Sequence, residues 1–136
     1  MWQWSALVAM GCFAAMQLLF RQLSRRGVET SAILLLVFAF AALLYLLHVA
    51  VTRTPLPTKL PVLALLAGAA ALSYVGNLFS VRAVATAPNP GYAVALVSLQ
   101  AAVVTIAALG VAGATLSWVK ALGVILCCAG IALLVI

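Results

Sequence analysis

Five stretches, Trp2–Phe20, Ser31–Val51, Pro61–Val81, Pro90–Gly110 and Trp118–Ile136, are each an almost unbroken apolar run. A helix that crosses a membrane needs about 20 mostly apolar residues, because ~30 Å of hydrocarbon is covered at ~1.5 Å per residue. Each run meets that length. With 68% hydrophobic and 6% charged residues, the 136-residue chain has too little polar material to cover the surface of a water-soluble domain. The four connections between the runs are too short for a catalytic or DNA-binding domain. The expected fold is all-α: a polytopic membrane protein with five transmembrane helices, forming a single domain over residues 1–136.

The net charge of +6 points to lipid headgroups rather than nucleic acid. Its cations, Arg21, Arg25, Arg26, Arg53, Lys59, Arg82 and Lys120, each lie near the end of an apolar run, where topology signals sit. Cys12, Cys127 and Cys128 all fall inside apolar runs, so no disulfide framework is expected. One histidine and one glutamate provide neither a nucleophile–base set nor a metal-ligand cluster, so neither an enzyme nor a cofactor is expected. The first run is no secretory signal: Trp2 and Trp4 suit an interfacial anchor, and the positive charges follow the run instead of preceding it.

In such a chain the few polar side chains carry the information. An unpartnered polar group in hydrocarbon costs roughly 2–7 kcal/mol, so these groups face other helices or a wet cavity. They concentrate between Ser73 and Gln100, where an apolar run with Ser73, Tyr74, Asn77 and Ser80 meets Arg82 and turns through Ala87–Gly91. The chain then re-enters apolar sequence with Tyr92, Ser98 and Gln100. Ser73, Asn77 and Ser80 share one helix face, with Gly76 beside them. Asn89 followed by Pro90 reads as an N-cap and first-turn pair. Gly91, Ser98 and Thr105 form a small, weakly polar face on that helix, while Tyr92 and Gln100 lie on another, about 80° apart at ~100° per residue. Gln17 is the one strongly polar group deep in the first run; it packs on a neighbour helix or lines a cavity.

The remaining signals concern helix ends. Thr30 or Ser31 is expected to cap the second helix, with Glu29 favouring its positive end; proton coupling is the other reading of Glu29. His48 is expected at the interface as a headgroup or carbonyl partner. Pro61 is placed in the first turn of the third helix, and Gly110–Ser117 reads as a turn whose Ser117 caps the last. Gly123, Cys127 and Gly130 line one side of that last helix, for packing within the chain or between subunits.

Five spans place the termini on opposite sides. One side holds Arg53, Lys59 and Lys120 with the terminal amine, and the other holds Arg21, Arg25, Arg26 and Arg82. The arginine cluster leans toward the second side being cytoplasmic, but the near-balance permits insertion both ways. Two oppositely inserted copies would rebuild an inverted repeat, so an antiparallel homodimer of ten helices is expected.

The chain also resembles one EamA-type domain of the drug/metabolite transporter superfamily. The resemblance rests on A-x-x-x-A-P-N-P-G-Y (Ala83, Ala87–Tyr92) and on L-S-W-V-K-A-L-G-V-I-L-C-C-A-G-I-A-L-L (Leu116–Leu134), with its glycines a heptad apart. Members of that superfamily usually carry two such domains in opposite orientation, so the resemblance implies half of a ten-helix inverted-repeat transporter. Where the family usually has a G-E-x-L-S-like stretch, this chain has Gly113-Ala114-Thr115-Leu116-Ser117, and no carboxylate lies between Trp2 and Phe20. The proton-coupled mechanism of the small multidrug resistance branch is therefore not expected.

The leading expectation is a secondary transporter of the bacterial inner membrane. It would move a small neutral, zwitterionic or amphipathic compound by alternating access, with Gln17, Ser73, Tyr74, Asn77, Tyr92 and Gln100 as substrate-binding residues. Two alternatives stand beside it. One is a flippase for lipid-linked glycans or phospholipids, using Arg82 or Arg21 for a phosphate; the other is a non-transporting subunit of a larger membrane complex.

Overall fold

The computed structural model describes residues 2–111 and 117–135, which form helices and connections with no strand among them. The helices are α1 (Trp2–Arg25), α2 (Thr30–Thr52), α3 (Leu60–Thr86), α4 (Pro90–Val97), α5 (Gln100–Val111) and α6 (Trp118–Val135). Four stretches are long and apolar enough to cross a membrane: Trp2–Arg25, Thr30–Thr52, Leu60–Thr86 and Pro90–Val111. Trp118–Leu134 is a shorter apolar helix. The chain is thus all-helical and fits a polytopic membrane protein.

Helices and apolar runs do not end together. α1 continues past Phe20 to Arg25, and α3 continues past Val81 through Arg82 to Thr86. Hydrophobicity marks the depth of the hydrocarbon, whereas a helix stops only where its backbone finds other partners. α1 stops at Gly27, whose φ of 80° is the left-handed C′ conformation. There the Val28 N–H reaches the Leu23 carbonyl and the Gly27 N–H that of Ser24, at 3.2 and 3.0 Å.

α2 begins one residue earlier than its hydroxyls suggest. Glu29 occupies the N-cap position and makes no side-chain cap bond; its carbonyl accepts the Ile33 N–H at 3.0 Å. Thr30 and Ser31 therefore lie inside the helix, and the Ser31 hydroxyl donates to the Glu29 carboxylate at 3.1 Å. At the other end Arg53 adopts a left-handed conformation (φ 51°, ψ 37°) and ends α2 before the proline-broken connection. His48 is exposed near that end, and its carbonyl accepts from the Thr52 hydroxyl at 2.8 Å. Pro61 falls in the first turn of α3, where a missing N–H loses nothing, and the Asn89 side chain accepts the Gly91 N–H at 2.9 Å to open α4.

The fourth apolar run is not one continuous helix. Around Ser98 and Leu99 the ladder tightens: Leu99 bonds back to Leu96, Ala101 to Ser98 and Ala102 to Leu99, at 3.2, 3.0 and 3.0 Å. The Ser98 hydroxyl donates to the Val94 carbonyl at 2.9 Å, a back-bond that bends helices. Residues 112–116 lie outside the described region, and with them most of the expected Gly110–Ser117 turn and of the Gly113–Ser117 stretch. Gly110 belongs to α5, and the Ser117 carbonyl opens α6 by accepting the Ala121 N–H at 2.9 Å.

The backbone forms two compact units, residues 1–85 and 86–136. In the first, Phe20 of α1, Ile33 and Leu34 of α2 and Val81 of α3 make a buried cluster, with Met16, Leu23, Val37 and Leu78 packed around it. The cluster joins the end of α1, the start of α2 and the end of α3. Toward their other ends these helices are exposed almost throughout. In the second unit α4 packs on α6 and Ala93 is buried.

Candidate functional site

Position 88 is a proline, and this settles what Arg21 does. In a continuing helix the Val84 carbonyl would accept the N–H of residue 88, which proline lacks. Ala85 would accept from Asn89, but Asn89 has already turned out of the helix at φ −122°, ψ 125°. The Arg21 Nη1 supplies both missing donors across from α1, bonding the Val84 carbonyl at 2.8 Å and the Ala85 carbonyl as well. A guanidinium here is a tertiary C-cap, placed where a helix dipole favours a cation. The Arg21 Nε, Gln17 Oε1 and Ser24 Oγ, spaced along one face of α1, are buried without a hydrogen-bond partner among the described residues.

Beside this clamp, α2 and α3 enclose a groove of about 460 Å³. Ser31, Leu34, Leu35 and Phe38 line it from α2; Ala70, Ser73, Tyr74 and Leu78 line it from α3. Leu34 and Leu78 are shared with the buried cluster, so the groove starts at the closed end of the unit and opens between the parting helices. Its walls are aliphatic and aromatic, with three hydroxyls and no charged side chain. That composition suits a molecule with an apolar body and a few uncharged hydrogen-bonding groups. Tyr74 is 65% and Leu35 70% exposed, so the groove lacks an outer wall.

Of the residues expected to bind substrate, Ser73 and Tyr74 line this groove. Asn77 does not; its carboxamide donates to the Ser73 carbonyl at 2.8 Å and to the Ser73 hydroxyl at 3.1 Å. It thereby holds the Ser73 hydroxyl oxygen as an acceptor. Gln17 stands on α1 in the line of unpaired buried atoms, away from the groove lining. Tyr92 and Gln100 are exposed residues of the second unit, on α4 and at the start of α5. Ser31 and Phe38 were missed, because an N-terminal serine and one phenylalanine among many apolar residues carry no distinguishing pattern. The role of Arg21 could have been found from Pro88, which orphans the carbonyl four residues before it.

The second unit has its own groove of about 290 Å³. Ser98, Leu99, Ala101, Ala102 and Thr105 form one wall; Lys120, Gly123, Val124, Cys127, Cys128 and Ile131 of α6 form the other. The small faces read around Ser98 and Thr105 and around Gly123 and Cys127 therefore meet within the chain. No Cβ added at Gly123 would touch anything within 4 Å, so they meet across open space. Among the described residues no group of His, Cys, Asp or Glu could hold a metal ion.

The sequence of this chain, with helices long and apolar enough to cross a membrane several times, matches one family model. A sequence model described as the EamA-like transporter family matches residues 1–136. No curated protein and no solved structure matches the chain significantly. With the match covering residues 1–136, the chain belongs to the EamA-like transporter family, membrane transporters of the drug/metabolite superfamily.

Proposed function

We propose that this transporter carries a small uncharged or zwitterionic amphipathic molecule by alternating access, bound in the groove between α2 and α3. The carrying observation is the lining of that groove: aromatic and aliphatic walls, the hydroxyls of Ser31, Ser73 and Tyr74, and no charge. A net charge would enter without a counter-charge at a cost of several kcal/mol, whereas a zwitterion brings its own, so simple ions are poor cargo. Asn77 acts by holding Ser73 in place.

The missing outer wall supports an inverted second half. Residues 1–136 form one EamA-like domain of five crossings, with α6 as the fifth; at 18 residues it covers about 27 Å. A second copy in the opposite orientation supplies the other half, in the inner membrane of a bacterium. Tyr92, Gln100 and Gln17 then contribute in the assembled pair. The closed arginine end and parted opposite end of the first unit fit one of the two states that rocking needs. Lipid flipping is less favoured, since Arg21, a cation it would need for a phosphate, already donates to Val84 and Ala85.

Two experiments test this reading. Thermal stabilisation of the detergent-solubilised chain by a panel of neutral and zwitterionic amphiphiles identifies a ligand; Tyr74→Leu and Ala70→Trp then abolish both stabilisation and vesicle uptake. Uptake unchanged by both substitutions places the path elsewhere. Tags at each terminus, probed from both sides, show both orientations; a single orientation removes the antiparallel pair.

A further inference from the structure

The groove of the second unit has no part in that reading, and its shape and charge point to a different occupant. We infer that it holds one acyl chain of an anionic phospholipid, whose phosphate rests on Lys120. The lining of α6 runs along one face from Lys120 through Gly123, Cys127 and Ile131. At ~1.5 Å per residue that is about 16 Å, half of the ~30 Å hydrocarbon core and so the depth of one leaflet.

Nothing along that length calls for a polar ligand. The Ser98 hydroxyl donates to Val94 and the Thr105 hydroxyl to Ala101, at 2.9 and 2.7 Å, so both are satisfied within their own helix. Free cysteines behave as small apolar groups. A polar solute would give up hydrogen bonds to water and find no replacements. Lys120 alone brings charge, two residues after the 92% exposed Trp118, a residue type that settles at headgroup level.

The Lys120 side chain makes no ion pair or hydrogen bond among the described residues. The chain's one carboxylate side chain, Glu29, sits in the other unit beside Ser31. Any counter-charge for this exposed ammonium is therefore supplied from outside the described chain. A second copy is a poor source, since it brings seven cations and one carboxylate, whereas the leaflet supplies a phosphate attached to a chain of matching length. The groove lies between α5 and α6 just after the irregular turn at Ser98–Leu99, while α4 packs on α6.

The test uses the full chain in nanodiscs of equal phosphatidylglycerol and phosphatidylcholine, with retained lipid counted by native mass spectrometry. Wild type should keep one tightly held lipid, preferring phosphatidylglycerol by about fivefold, the worth of one lysine at an anionic surface. Lys120→Gln should keep a lipid but bring that preference near parity. Gly123→Leu, which fills the groove, should release it. As a check independent of folding of that variant, Cys127 in wild type should react with maleimide more slowly in phosphatidylglycerol than in phosphatidylcholine discs. Equal retention in all three proteins, equal Cys127 reactivity in both lipids, or a Cys127 crosslink between copies in place of bound lipid would each overturn the proposal.

Discussion

The two units of the chain handle the same difficulty in different ways. Each gathers helices in one region and leaves a groove in another. In the first unit the gathering is done by a buried cluster of Phe20, Ile33, Leu34 and Val81, reinforced by a guanidinium reaching into a helix end. The second has Ala93 as its buried apolar residue among the described residues, and its groove lies beside an irregular turn within the fourth apolar run. One is held by long-range contacts and the other shaped by local backbone chemistry. The contrast teaches that a groove between membrane helices can arise either from where packing stops or from where a helix deviates.

The sharpest way to break the comparison is to remove the cluster. Phe20→Ala should destabilise the chain by about 3–5 kcal/mol, read as a fall in melting temperature in detergent, while Val104→Ala on exposed α5 should change it by about 0.5 kcal/mol or less. Similar losses would mean the first unit is not packed as described. Arg21→Met should cost about 2–4 kcal/mol, because two helix-end carbonyls lose a charged donor. Arg25→Met, on an exposed neighbour, should be close to neutral in the same assay.

A double-mutant cycle sharpens the point. Pro88→Ala returns an N–H to the Val84 carbonyl, so Arg21→Met should cost about 1 kcal/mol less in that background. Additive effects would show that the arginine does not compensate for the proline. The smallest effect concerns the bend: Ser98→Ala removes the back-bond to Val94 and should shift stability by about 0.5 kcal/mol at most. It should instead bring spin labels at Val103 and Leu126 closer together. An unchanged distance would assign the bend to packing.

Much of the architecture was legible. Apolar runs of the right length announce spanning helices wherever they occur, because hydrocarbon accepts a backbone only when it bonds to itself. Asn89–Pro90 acts locally, and its position in the chain states its role; Gly27, which ends α1 at φ 80°, was not read from the sequence. The site was less legible. Ser73 and Tyr74, expected at the site, line the groove between α2 and α3, whereas the Asn77 carboxamide bonds to Ser73, four residues earlier, which its position alone does not show. Hydroxyls and amides look alike in a sequence whether they bond to their own helix or to a guest. The bend at Ser98 went unseen for the same reason, since a serine in a helix bends it only when its rotamer turns back on the previous turn.

Residue order alone decided that this chain is helical and apolar, for four of its helices are long and apolar enough to cross a bilayer. Which helices touch, and which part to leave a groove, was decided in three dimensions. Leu34, Leu35 and Leu36 are chemically identical neighbours, yet only Leu34 is buried, because only its direction meets α1 and α3. In a protein whose surface is as apolar as its interior, hydrophobicity no longer separates inside from outside. Direction, small side chains and the needs of orphaned carbonyls make that separation instead.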